Sequence, residues 1–361
     1  MNFIKSITLT LLFSLFVSAT LFAQESDVQK PKNIILLIGD GMGLSQVSAS
    51  QYFNEKDSNF DRFTTVGLIK TSSSSDLITD SASSATAHAA GIKTYNGAIG
   101  VAQDTTAVKT IVETLSQQNW HTGLIATSSI VHATPASFFA HVKARGLYEE
   151  IATYLPSSEV DYFAGGGLAF FNKREDKKDL LKELDMQGFS VTTDQLPEKL
   201  SEATKKHAIL LADYAMPKML EGRGDFLPNA TQQALEFLSK DDNGFFLMVE
   251  GSQIDWGGHA KDADYLISEL LDFDATIGVA LDFAEEHGDT LVIVTADHET
   301  GGFTLAADGS NYNKIAPAFS TDGHSATMIP VFAIGPGAHT FGGIYENTEI
   351  YHKMIELTTN K

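Results

Sequence analysis

The run Glu250-Gly251-Ser252-Gln253-Ile254-Asp255-Trp256-Gly257-Gly258-His259 places two carboxylates and an imidazole directly behind an apolar segment. Carboxylate with imidazole is a donor set that suits zinc, and the Asp255–His259 spacing would let a glycine-containing turn bring those two side chains together. Thr295-Ala296-Asp297-His298-Glu299-Thr300-Gly301-Gly302 offers an adjacent Asp and His after another apolar run, and His324 stands alone in Gly323-His324-Ser325-Ala326. Asp40 sits in Gly39-Asp40-Gly41-Met42-Gly43, where glycines would let the backbone pass close to an ion. Taken singly, Asp40 reads equally as a helix cap, His324 as a structural histidine and Trp256 as packing. The chain has no cysteine, so any metal must be held by His, Asp, Glu and hydroxyls.

Two further segments add a nucleophile and a cation. Thr79-Asp80-Ser81-Ala82-Ser83-Ser84-Ala85-Thr86-Ala87 is a small-residue run with the character of a helix start. Either Asp80 or Ser81 would cap it. A serine there has its hydroxyl beside free backbone N–H groups and the positive helix end, which stabilise an oxyanion or an attached phosphate. His132-Ala133-Thr134-Pro135 is followed by His141 and Arg145. Pro135 fits the first turn of a helix running towards Arg145, which is the cation best placed to meet this acidic set. His88, His121, His141, His207, His287, His339 and His352 read as structural or surface residues.

These groups need a frame to hold them. Asn33–Ile38, Thr122–Ala126, Ala208–Leu211, Phe245–Val249, Leu291–Thr295 and Pro330–Ile334 are apolar runs typical of strands buried on both faces. Helix-period stretches alternate with them, among them Val108–Gln118, Lys177–Gln187, Thr231–Ser239 and Ala263–Glu286. The alternation implies an α/β fold, a largely parallel central sheet with helices on both faces. In such sheets ligands bind beyond the carboxyl ends of the strands, and Asp40, Glu250, Asp255, Asp297 and His298 all follow strand runs. The irregular stretch from Gly301 to Gly323 is expected to form a small cap.

Composition narrows the partners. The formal charge of −21 argues against nucleic-acid backbones and anionic membranes, and it leaves an anionic substrate in need of local positive charge. Metal ions could supply it. Hydrophobic content of 43% with 23 phenylalanines is ample for one large core. Residues 1–23 carry the pattern of a signal peptide, with a basic start and an apolar run over Ile7–Val17; cleavage is expected after Ala19 or Ala23. The expected product is a single catalytic domain over residues 24–361, exported to the periplasm or medium, with no membrane anchor.

Taken jointly, the motifs resemble the alkaline phosphatases from about Pro31 to the C-terminus. Asp-Gly-x-Gly, Asp-Ser-Ala, His-Ala-Thr-Pro with its downstream Arg, Glu-Gly-x-x-Ile-Asp-x-x-x-His, Asp-His-Glu-Thr-Gly-Gly and Gly-His-Ser occur in that family's order. The resemblance implies hydrolysis of small-molecule phosphate monoesters through a phosphoserine on Ser81, with Arg145 clamping phosphate oxygens. It implies one zinc on Asp255, His259 and His324, and a second on Asp40, Asp297, His298 and Ser81. It further implies a third ion, usually magnesium, on Asp40, Thr134 and Glu250, and a homodimer. Two metal ions about 4 Å apart can stabilise both the attacking and the leaving oxygen of an in-line displacement.

The chain departs from parts of the family. His132 and Trp256 stand where other members carry Asp and Lys, so His132 could itself bind the third ion and favour zinc or cobalt over magnesium. The Asp297–His324 interval is short, which implies a reduced cap. Competing readings are a phosphodiesterase or nucleotide pyrophosphatase of the same superfamily, and a noncatalytic metal- or phosphate-binding protein. Arg145 and the Thr134/Glu250 group favour a monoesterase, because a monoester dianion has an extra charged oxygen to satisfy. The Cys/Ser-x-Pro-x-Arg segment of sulfatases is missing.

Overall fold

The computed structural model describes residues 30–240 and 242–358, so the signal peptide expected over residues 1–23 lies outside the described residues. The strands are β1 (Asn33–Gly39), β2 (Thr65–Lys70), β3 (His121–Ser129), β4 (Tyr162–Gly166), β5 (Phe189–Thr192), β6 (Lys206–Leu210) and β7 (Phe245–Gly251). They continue with β8 (Thr290–Thr295), β9 (Glu299–Thr300), β10 (Phe303–Asp308), β11 (Asn311–Phe319), β12 (His324–Ser325), β13 (Ile329–Ile334) and β14 (Gly343–Glu346). Ten of them form one sheet in the order β14-β2-β13-β8-β1-β7-β3-β4-β6-β5. Strand β13 pairs antiparallel with both neighbours, and every other pairing in this sheet is parallel.

Strands β1, β7 and β8 are buried at every residue, which requires cover on both faces and accounts for their unbroken apolar sequences. The helices that matter for the site are α1 (Leu44–Phe53), α2 (Ser81–Ala90), α3 (Ile111–Ser116), α4 (Ala133–Ala136), α5 (Phe226–Leu238), α6 (Gln253–Ala260) and α7 (Ala263–His287). Helix α7 is the long one, started by the Asp262 carboxylate on the Tyr265 N–H and stopped at Gly288, φ 73°. Helix α3 begins with a reciprocal capping box between Thr110 and Glu113. Both match helical stretches expected from periodicity.

Helix α2 is buried at all ten positions. Only alanine, serine, threonine and one histidine could fit so close to the sheet, which explains the small-residue composition. Asp80 caps it by accepting the Ser83 N–H at 3.0 Å. Ser84 donates to the Asp297 carbonyl at 2.8 Å and receives Asn347 Nδ2 at 3.1 Å, fastening the helix beside the end of β8.

Three expectations are corrected. The stretch 301–323 is largely a paired hairpin, β10 against β11, because alternating residues from Phe303 to Phe319 satisfy each other's backbone groups. No long helix leads to Arg145: after the single turn of α4 the chain is drawn into a bridge between Val142 and Ile99, and the Arg145 N–H binds the Gly97 carbonyl at 2.8 Å. Asp255 and His259 meet on a helix rather than in a turn, since their four-residue spacing puts both on one face of α6. Its glycines serve packing instead: a Cβ on Gly257 would lie 2.6 Å from Leu266 backbone atoms, and one on Gly258 would lie 2.9 Å from Thr300.

Candidate metal centre and nucleophile

Three groups of ligand atoms converge beyond the carboxyl ends of β1, β7 and β8. Asp255, His259 and His324 form one, Asp40, Asp297 and His298 a second, and Asp40, His132 and Glu250 a third, with the ligand atoms of each within 4.8 Å of one another. Parallel register explains the convergence. β1 lies between β7 and β8, with Ile38 opposite both Glu250 and Thr295, so the residues that leave these strands emerge together. Gly41, at φ 74°, is forced: a Cβ there would lie 2.7 Å from Asp255 Cα.

The imidazoles are aimed by backbone acceptors. His259 Nδ1 donates to the Asp322 carbonyl at 2.6 Å and His324 Nδ1 to the Thr79 carbonyl at 2.9 Å. That arrangement leaves both Nε2 lone pairs facing inward, 3.2 Å from each other. Asp255 Oδ1 lies 3.4 Å from His259 Nε2 and 3.6 Å from His324 Nε2. Acceptors thus meet where a cation would satisfy them all. The hydrogen bond with Asp255 pushes His259 up to about 9, so a proton and a metal ion compete for the same lone pair.

The second group repeats the pattern in full burial. His298 Nε2 lies 3.1 Å from Asp297 Oδ2, 3.5 Å from Asp40 Oδ1 and 3.2 Å from the Ser81 hydroxyl oxygen. Thr300 links the two groups. Its hydroxyl donates to Asp255 Oδ1 at 2.5 Å and takes the His298 Nδ1–H at 3.2 Å. In the third group the Glu250 carboxylate receives Ser252 at 2.6 Å and Ser128 at 3.3 Å, and the Thr134 hydroxyl adjoins it.

The electrostatics call for cations. Burial pushes Asp40 well above the usual carboxylate range, and repulsion from Asp297, Asp255 and Glu250 adds to it. Glu250 is pushed up to about 7, chiefly by burial, with Asp297 contributing against the hydroxyls that bind it. Burial and the nearby Arg145 bring His132 down to about 4. Both Asp40 oxygens, Asp297 Oδ2, Glu250 Oε1, His132 Nδ1 and the Thr134 hydroxyl are buried without a hydrogen-bond partner. Unpaired polar atoms of this density are costly in a protein interior unless something binds them. The donor set fits zinc at the first group, with its two imidazoles, and at the second, with one imidazole beside two carboxylates; at the third the Thr134 hydroxyl joins the two carboxylates and suits a harder ion.

Arg145 enters from the side. Its Nη1 donates to Asp80 Oδ2 at 3.0 Å, and Nη2 stands 3.4 Å from His132 Nε2. Trp256 meets the His132 ring edge-on at 5.9 Å between centroids, so the pair singled out as a departure is in contact. The structure therefore brings together Asp40, Ser81, His132, Thr134, Arg145, Glu250, Asp255, His259, Asp297, His298 and His324. None of the histidines set aside earlier joins a metal group among the described residues. Sequence reasoning passed over Thr300, Ser128 and Ser252, because a hydroxyl that orients a ligand carries no spacing signal of its own.

The alkaline phosphatase family model matches residues 31–318. The chain belongs to the alkaline phosphatase family. It is 39% identical to "Alkaline phosphatase 4" of Bacillus subtilis (strain 168), over 92% of this chain and 76% of that protein. With "Alkaline phosphatase 3" of the same organism the identity is 34%, over 90% of this chain and 88% of that protein. Among solved structures, an alkaline phosphatase from the Antarctic bacterium TAB5 superposes with a TM-score of 0.91 at 57% identity, covering 93% of this chain and 100% of that one. Variants of the TAB5 enzyme with a histidine replaced by Asp or by Glu have magnesium bound in what is termed the M3 site.

Proposed function

We propose that this alkaline phosphatase hydrolyses phosphate monoesters to an alcohol and inorganic phosphate through a phosphoserine on Ser81. One observation carries the reading: the Ser81 hydroxyl stands 3.2 Å from His298 Nε2, at the N-terminus of the buried helix α2 and next to the residue that holds Arg145. Asp255, His259 and His324 would hold one zinc, and Asp40, Asp297 and His298, with Ser81, a second. Asp40, Thr134 and Glu250, with His132 beside them, would hold a third ion, magnesium with zinc or cobalt as alternatives. Bound there, the ions would lower the pKa of the serine hydroxyl and stabilise charge on the attacking and leaving oxygens.

The chain's own residues do the positioning. Ser81 Oγ forms the bond to phosphorus as the ester P–O bond breaks, and the departing alkoxide leaves as the alcohol after taking up a proton. Water then attacks phosphorus from the vacated side, the P–Oγ bond breaks, and Ser81 is restored. Asp80 fixes one end of the guanidinium and leaves further N–H donors of Arg145 for two phosphate oxygens. The first turn of α2 directs backbone N–H groups and the positive helix end at the same charge.

The reading extends to a single catalytic domain over residues 24–361, to export through the N-terminal segment, and to a homodimer, each carried by the family resemblance. Among the described residues no helix is long and apolar enough to cross a membrane. The test is a comparison of monoester and diester hydrolysis by the purified protein after chelation and after zinc and magnesium are restored. Monoester turnover that returns with the ions and exceeds diester turnover supports the proposal. Preferred diester hydrolysis would overturn it in favour of a phosphodiesterase.

A further inference from the structure

Glu299 follows His298 and takes no part in the three ligand groups, yet its buried carboxylate is tied on every side. Oε1 accepts from Gln46 Nε2 at 2.9 Å and from the Phe303 N–H at 3.0 Å, and Oε2 accepts from the Ser325 hydroxyl. Gln46 Nε2 also donates to the Thr300 carbonyl at 3.0 Å. Gln46 lies on α1, just beyond the Asp40 loop, and that loop packs directly on Glu299: a Cβ on Gly43 would stand 2.5 Å from Glu299 Cγ. Ser325 is the neighbour of His324. One side chain therefore joins the segments that bring Asp40, His298 and His324.

The joint is needed most at His324. Its backbone is held by β12, which pairs with β9 over two residues only, His324 with Thr300 and Ser325 with Glu299. So short a ladder has little stability of its own. Beyond it, Ala326, Thr327 and Met328 are exposed, and His259 across the group is also exposed. Among the described residues Glu299 has no basic partner. A carboxylate buried without one is costly, and ions beside His298 and His324 would offset that cost.

We propose that Glu299 is a positioning residue for the first metal site, fixing His324 through Ser325 and thereby setting that site's hold on its ion. The inference rests on reading Asp255, His259 and His324 as a zinc site. It is tested on full-length, zinc-loaded protein carrying Glu299→Ala, Glu299→Gln or Ser325→Ala, by titrating zinc away with a chromophoric chelator and recording thermal midpoints in excess chelator. Glu299→Ala should weaken one zinc by about 10- to 100-fold, as loss of a partner behind a ligand does elsewhere. The remaining zinc should be held as before, and the metal-free midpoint should fall little. Glu299→Gln, which keeps the acceptor for Gln46 and Phe303, should restore part of the affinity, and Ser325→Ala should reproduce part of the defect. Unchanged zinc affinity in Glu299→Ala, or an equal fall in the metal-free midpoint with every zinc weakened alike, would overturn the proposal. A separate arm tests the premise: His324→Ala that retains its full zinc complement would overturn the site reading, whatever Glu299 does.

Discussion

Arg145→Ala removes the guanidinium held by Asp80, the neighbour of Ser81, and with it the contact to His132. The side chain is 29% exposed, and Asp80, its partner at 3.0 Å, keeps the Ser83 N–H, so α2 retains its cap. Hydrogen bonds to charged groups contribute about 1.5–3 kcal/mol each, and the proposed clamp would make them to oxygens whose charge is greatest in the transition state. A net loss of about 2.7 kcal/mol corresponds to a hundredfold in rate. The variant also leaves the Asp80 carboxylate, beside Ser81, without its counter-ion, which would add repulsion to a bound phosphate. Monoester kcat/KM should therefore fall by roughly a hundredfold and the inhibition constant for inorganic phosphate should rise. Diester turnover should fall much less, since a diester has one fewer charged oxygen to satisfy. Adding Asp80→Asn to Arg145→Ala should recover part of the loss by removing the exposed charge. Steady-state kinetics on matched monoester and diester substrates provide the check. Equal losses on both substrates, or unchanged phosphate inhibition, would refute the role.

Ser81→Ala should abolish most turnover while zinc and magnesium content measured on the purified protein stays close to wild type; a variant that loses its metals along with its activity would contradict this. In excess chelator, stability should decline from about pH 7 to about pH 9. His259 is raised to about 9 by its hydrogen bond with Asp255, so across that window the folded form holds a proton that the unfolded chain has released, and stability is lost as pH rises. At lower pH the raised Glu250 is opposed by His132 and His88, both brought down to about 4 by burial. Metal-loaded protein should show a flatter profile, and parallel melting curves for the two forms would count against the pairing of those groups with cations. The double change His132→Asp, Trp256→Lys should tighten phosphate inhibition and increase the preference for magnesium, read from activity after metal exchange; if both are unchanged, that pair does not tune the site.

The strands at the centre of the sheet were legible because burial on both faces writes them as unbroken apolar runs: β1, β7 and β8 match expectation to within a residue or two at each end. The strands at and next to the sheet's edges were less so. β5 and β14 are short and only partly buried, and β2 alternates between buried and exposed positions, so nothing in their composition separates them from loops. Asp40, Glu250, Asp255, Asp297 and His298 were named from residue type and position behind a strand and His259 from its spacing to Asp255, since metal chemistry restricts the choice to few side chains; His324 and His132 were named only through the family resemblance. What holds those ligands was not. Thr300 and Glu299 sit inside the Asp-His-Glu-Thr-Gly-Gly run, but their work depends on Asp255, Gln46 and Ser325, partners that only folding brings near. The Asp255–His259 helix was missed because paired glycines read as a turn, whereas here they let α6 approach Leu266 and Thr300.

The central claim is that phosphate passes through Ser81, and trapping it is the most direct test. Metal-loaded protein should be mixed with a phosphate-labelled monoester, quenched in acid and mapped by peptide mass spectrometry. The expected result is a single labelled site on the peptide containing Asp80-Ser81-Ala82, absent from Ser81→Ala. Label on another residue, or a phosphorylated Ser81→Ala protein, would contradict the account.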